Sequence, residues 1–155
     1  MTALFLSLHV LAAILTVGPV AITASMFPRI ARNALASPDA DGTATARLLH
    51  RITRVYAAVG VAVPVLGYIT GATLGVLSDA WLITSMVLTA GAAAVLILLV
   101  LPGQRRAVEA LDAPRPSDPG ALRRLPMHAG IFNLLWAVVV VLMIYRPGST
   151  TGAGL

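Results

Sequence analysis

Three histidines, His9, His50 and His128, are the side chains of this sequence best suited to chemistry. An imidazole can ligate a haem iron or a metal ion, or pass a proton, near neutral pH. His9 sits about two turns into a long uncharged stretch, where an ionisable group is uncommon. His50 and His128 lie in arginine-rich sequence. At the rise of a helix, His9 falls on the order of 20 Å from the other two, too far to share an ion with either. His50 and His128 can approach one another, though rings in such sequence are expected to meet water or lipid headgroups. Two readings of His9 stand: a haem ligand or proton-handling group, or a packed ring donating to a carbonyl of a neighbouring helix. Asn133 lies too far toward the other end to be that partner and is read as a hydrogen bond between helices.

The remaining residues exclude much else. There is no Cys, hence no disulfide, thiolate catalysis or thiolate cluster ligation. No Asp or Glu falls within the uncharged stretches, which argues against a carboxylate relay of ion-coupled transport. No Ser–His–Asp arrangement, His–Glu zinc signature or phosphate-binding loop occurs.

The elements that hold these residues follow from charge spacing. Four apolar stretches, 2–27, 55–78, 80–101 and 125–145, contain no Asp, Glu, Lys or Arg. About 20 apolar residues cross the hydrocarbon core of a bilayer as a helix. The composition, 58% hydrophobic and 11% charged, fits a chain whose outside faces lipid rather than water. The expectation is an all-α fold, a four-helix transmembrane bundle. At 155 residues the four spans and their loops use the whole length, so 1–155 reads as one domain. The first stretch lacks a basic leader and exceeds the roughly 7–15 residues of a signal-peptide core, so it is expected to remain as a span.

All 11 basic residues are arginines, and most flank spans, which speaks for orientation and against nucleic acid as a partner. Ten of them fall in the first and third loops and one, Arg146, in the tail. Arginine-rich loops stay in the cytoplasm, so both termini are expected outside. Within the spans, Gly67, Gly71 and Gly75 recur every fourth residue, a seam for another helix of the same chain or for a second copy. Residues 91–94 form a second small-residue segment. Pro19 and Pro64 are expected to kink their helices. Trp81, Tyr145 and Tyr56 fit interfacial positions, and Ser78 or Asp79 can cap the third span. Arg29 onward can extend the first helix, 43–54 leads helically into the second, and Pro114, Pro116 and Pro119 mark an irregular connector.

The run Leu8-His9-Val10-Leu11-Ala12, then Gly18 and Pro28-Arg29, resembles the first helix of HemJ-type protoporphyrinogen oxidases. Trp81 opening the third span, Arg105-Arg106 closing it and Arg123-Arg124 before the fourth continue the likeness. The ending Leu142-Met143-Ile144-Tyr145-Arg146-Pro147-Gly148 is similar to that of an uncharacterised family of bacterial predicted integral membrane proteins, and CopD-type copper-resistance domains are similar in shape. The HemJ-type likeness implies haem b with His9 at the position of the helix 1 histidine. Those proteins also use a Lys in their third helix. This chain has no Lys, and its matching segment offers Thr84 and Ser85. The CopD-type likeness implies copper.

The sequence thus reads as a small multi-pass protein of the bacterial inner membrane. Its expected role is that of a non-catalytic subunit or binding protein, whose partners are the lipid bilayer and other membrane subunits or itself. The alternative is a haem b-binding redox protein or oxidase built on His9, and a further one is metal or small-molecule transport.

Overall fold

In a computed structural model, which describes residues 2–37, 40–113 and 120–148, the described chain is helical throughout. The irregular connector expected at prolines 114, 116 and 119 falls outside the described residues. The first span is α1 (Thr2–Ala36). The second is α2 (Ala40–Val59) followed by α3 (Ala62–Leu74). The third is α4 (Ala80–Val95), a π-helical turn (Leu96–Val100) and α5 (Leu101–Asp112), and the fourth is α6 (Gly120–Tyr145). All four spans are long and apolar enough to cross a membrane. Each runs beyond its uncharged stretch at the arginine-rich end, where α2 and α5 pair through Arg47 and Asp112.

The prolines act differently from one another. α1 continues through Pro19 and Pro28, and α6 through Pro126. In the second span the helix breaks at Gly60 and Val61, one turn before Pro64. Pro64 has no N–H to give to the Gly60 carbonyl. That carbonyl instead accepts from the Val63 N–H at 3.0 Å, and the Val61 N–H reaches only to Ala58 at 3.3 Å. In the third span the π-helical turn ends just before Pro102. There the Leu101 N–H bonds to the Leu96 carbonyl, five residues back.

The turn between α3 and α4 is set by Gly75, whose left-handed backbone (φ 72°) ends α3. Its N–H bonds to Ala72 and that of Val76 to Gly71, the paired pattern that satisfies the last carbonyls of a helix. Asp79 occupies the cap position of α4 with extended backbone, but its side chain makes no capping bond. Its carboxylate accepts from the Trp81 indole N–H at 3.0 Å instead.

Packing is by small residues. Val20 and Ala24 of α1 meet Ala92 of α4, Leu96 and Val100 of the π-helical turn, and Ala129 and Phe132 of α6. Toward the arginine-rich end, Phe27 and Ala31 pack with Ala46, Leu49, Ala107, Leu122 and Leu125. Large apolar side chains such as Ile14, Leu15, Val87, Leu98 and Leu134 point outward. In lipid, burying a large apolar side chain gains little, so helices associate through close backbone approach and hydrogen bonds.

A candidate binding cavity around His9

His9 faces the inside of the bundle. Its Nδ1 lies 3.0 Å from the carbonyl oxygen of Val63, in the first turn of α3. A carbonyl only accepts, so Nδ1 carries a proton, and in the neutral ring the lone pair is on Nε2. Among the described residues no protein group bonds to Nε2. The ring lies against Gly67, where a Cβ would stand 2.9 Å from Cε1 of the imidazole. The glycine therefore makes room for the histidine. This separates the three spaced glycines into three tasks: Gly67 seats His9, Gly71 admits Leu82 and Leu77, and Gly75 turns the chain. At Gly67 and Gly71 the space is taken by side chains of the same chain, His9 of α1 and Leu77 and Leu82 around the turn into α4.

Beside His9 lies a cavity of about 750 Å³, walled by α1, α3, α4 and α6. Its wall is overwhelmingly apolar, with Met86, Trp136 and Met143 among its larger side chains. It occurs because α3 packs on α1 and hardly meets α4 beyond the turn that joins them. A smaller chamber of about 120 Å³ continues inward and shares Val63, Pro64, Thr89, Ala93 and Trp136 with the first. Gly60, Val61 and Leu96 line this chamber, so both helix irregularities, the break before Pro64 and the π-helical turn, border it. At the opposite end Arg146 lines the mouth, its guanidinium carbon 5.5 Å from the centre of the Trp81 ring. Trp81 stands at the expected end of its span, but it is buried there rather than turned to headgroups.

His50 lies elsewhere. Its Nδ1 is 3.1 Å from Oε1 of Gln104 on α5, an amide oxygen that accepts, so here too Nδ1 donates. Gln104 reaches Thr53 on α2 at 3.4 Å, and the Thr53 hydroxyl lies 2.8 Å from that of Thr23 on α1. Gln104 and Thr53 are fully buried. A backbone carbonyl of the same helix is within reach of each hydroxyl, Pro19 for Thr23 and Leu49 for Thr53, so one threonine donates to its carbonyl and the other can donate across to its partner. This chain of polar groups ties three helices together, and no hydrogen bond links His50 to His128. Among the described residues no group of His, Asp or Glu is placed to hold a metal ion. Asn133 does bridge helices: its Nδ2 donates to Ser25 Oγ at 2.9 Å, while its Oδ1 is buried without a partner among the described residues.

Sequence reading singled out His9 and Asn133 but passed over Gln104, Thr53, Trp136 and Arg146 as parts of a site. The signal for Gln104 was present, since a neutral amide stands between Gly103 and Arg105 where the span meets its charged extension. For Arg146 it was the isolation of one charge at an otherwise nearly uncharged end.

No family model, curated protein or solved structure matches this chain.

Proposed function

We propose that this chain is a membrane-embedded binding protein that holds a large apolar ligand in the cavity beside His9. The observation that carries this reading is the pairing of a roomy apolar cavity with a few polar groups, among them the imidazole of His9, oriented by its bond to Val63. A few placed polar groups in an apolar wall are what orient a ligand in a binding pocket. In this reading the arginine-rich end faces the cytoplasm of a bacterial inner membrane and the cavity opens on the outer side, with both termini outside. The bilayer covers the outward apolar side chains, and further subunits or a second copy would engage that same surface.

Extraction of the purified protein tests the proposal. A defined apolar compound at up to one per chain is expected, and lost in His9→Leu. Preparations in which no compound is enriched over the bulk lipid in either protein would count against it.

A second reading, haem b as the ligand, is favoured by one detail. A histidine that ligates a metal commonly donates its other ring N–H to a carbonyl, which fixes tautomer and ring orientation. His9 donates in this way to Val63. Haem would supply electron-transfer chemistry, and His9 Nε2 would hold its iron. A Soret band in purified protein, shifted or lost in His9→Ala, is the expected result. A colourless protein that stays colourless with added haemin leaves the apolar-ligand reading alone.

A further inference from the structure

We infer that the cavity takes an anionic amphiphile from the surrounding leaflet, its negative head on Arg146 and its tail running past His9 toward Gly60. The inference rests on the binding reading above and names the chemistry of the ligand. Arg146 lines the cavity mouth. It forms no ion pair among the described residues. Its Nε donates to the Met143 carbonyl at 3.3 Å, and the plane rests near the Trp81 ring. Its terminal nitrogens have no protein acceptor among the described residues. A guanidinium held by one edge and one face presents its remaining donors as a fork that matches a carboxylate or a phosphate.

The backbone at this position is unusual. Arg146 has φ 44°, and it is the one described residue other than glycine with positive φ. Glycine would take that conformation without penalty, and a long side chain does not. The Arg146 N–H caps α6 by bonding to the Leu142 carbonyl at 3.0 Å, so the strained residue ends the helix and turns its side chain onto the mouth. Strain retained at a ligand-facing residue points to a use for that side chain.

The dimensions fit a tail. From Phe132, which lines the inner chamber, to Arg146 is roughly 21 Å at the rise of a helix. One leaflet of hydrocarbon is about 15 Å deep. The cavity therefore accommodates a chain of lipid length below a head at the interface. Unbranched Met86 and Met143 in the wall adapt to a flexible tail. The gap between α3 and α4 offers the tail a sideways entry from the leaflet.

The test uses the full chain in mild detergent, with quenching of tryptophan fluorescence by stearate brominated at mid-chain. Trp136 lines both chambers and reports on the tail. Saturable quenching is expected, with stearate binding roughly tenfold tighter than the equally brominated stearyl alcohol. Arg146→Gly suits the backbone and keeps the fold, and it is expected to bring stearate down to the level of the alcohol. Arg146→Lys should retain part of the preference. Equal binding of acid and alcohol by the native chain, or a preference that survives Arg146→Gly, overturns the anionic head while leaving the cavity reading intact. If neither probe quenches saturably, the cavity reading fails as well. Light scattering that shows a dimer whose formation excludes both probes would assign the groove to a second copy and overturn the inference.

Discussion

The two ends of the bundle use the same kind of residue to opposite effect. At the arginine-rich end, glycine and alanine let helices close until Phe27, Leu125 and Gln104 are fully enclosed. Toward the arginine-poor end, Gly67 lets an imidazole lie against α3, and the helices around it stay apart. A missing side chain is filled by a neighbouring core residue in one place and by a polar ring beside a cavity in the other. The closed end holds the bundle together, and the open end is free to hold something else. Hydrogen bonds divide in the same way. His50 is the outermost member of a chain of side chains that reaches Thr23, whereas His9 spends one nitrogen on a backbone carbonyl and keeps the other.

Truncation of a core residue should separate the two ends most strongly. Phe27→Ala is expected to destabilise the protein by about 2–3 kcal/mol, mainly through the packing lost around a fully buried ring. Met86→Ala, in the cavity wall, should cost less than about 1 kcal/mol, because its side chain already borders empty space. Reversible unfolding in mixed micelles measures both. Equal losses would mean that the cavity wall is packed as tightly as the closed end.

Adding one carbon at matched glycines sharpens the contrast. A Cβ on Gly103 would collide with Cδ1 of Leu125, a fully buried side chain. Gly103→Ala should cost about 1–3 kcal/mol through overpacking. Gln104→Leu probes the polar network at a similar scale. It leaves His50 Nδ1 and Thr53 without their amide partner, for an expected loss of about 1–2 kcal/mol. A neutral result there would show that the network is not needed for stability.

Gly67→Ala is expected to have the smallest effect on stability, under about 1 kcal/mol, because the ring it displaces can move into the cavity. Its effect should appear in the imidazole resonance of His9 and in a several-fold loss of ligand affinity. An unchanged resonance would show that Gly67 does not position His9.

Much of the architecture was legible in the residues. Uncharged stretches of the length needed to span hydrocarbon predict four helices, and four spans are present. Extension of α1 past Pro28 and the helical lead into the second span also agree. Asn133 was readable as a bridge between helices because an amide at that depth needs a partner. The break at Gly60 was harder to place. Pro64 announces a disturbance, yet whether a proline bends, breaks or merely sits in a helix depends on who takes the freed carbonyl. Pro19 leaves α1 unbroken, and Pro64 does not leave the second span so.

The sequence by itself determined the number of spans, their approximate limits and the asymmetry of charge between the two ends. Those properties follow from local composition, since each segment must satisfy the same hydrocarbon thickness independently of its neighbours. Only the tertiary structure decided that Gly67 lies under His9, that Gln104 closes a network with Thr53 and His50, and that Arg146 overlooks a cavity. These depend on the rotation and separation of helices distant in the chain. In a lipid-facing bundle nearly every face is apolar, so hydrophobic periodicity cannot reveal which side turns inward. Close approach of small residues and the partners of a few polar groups settle it instead.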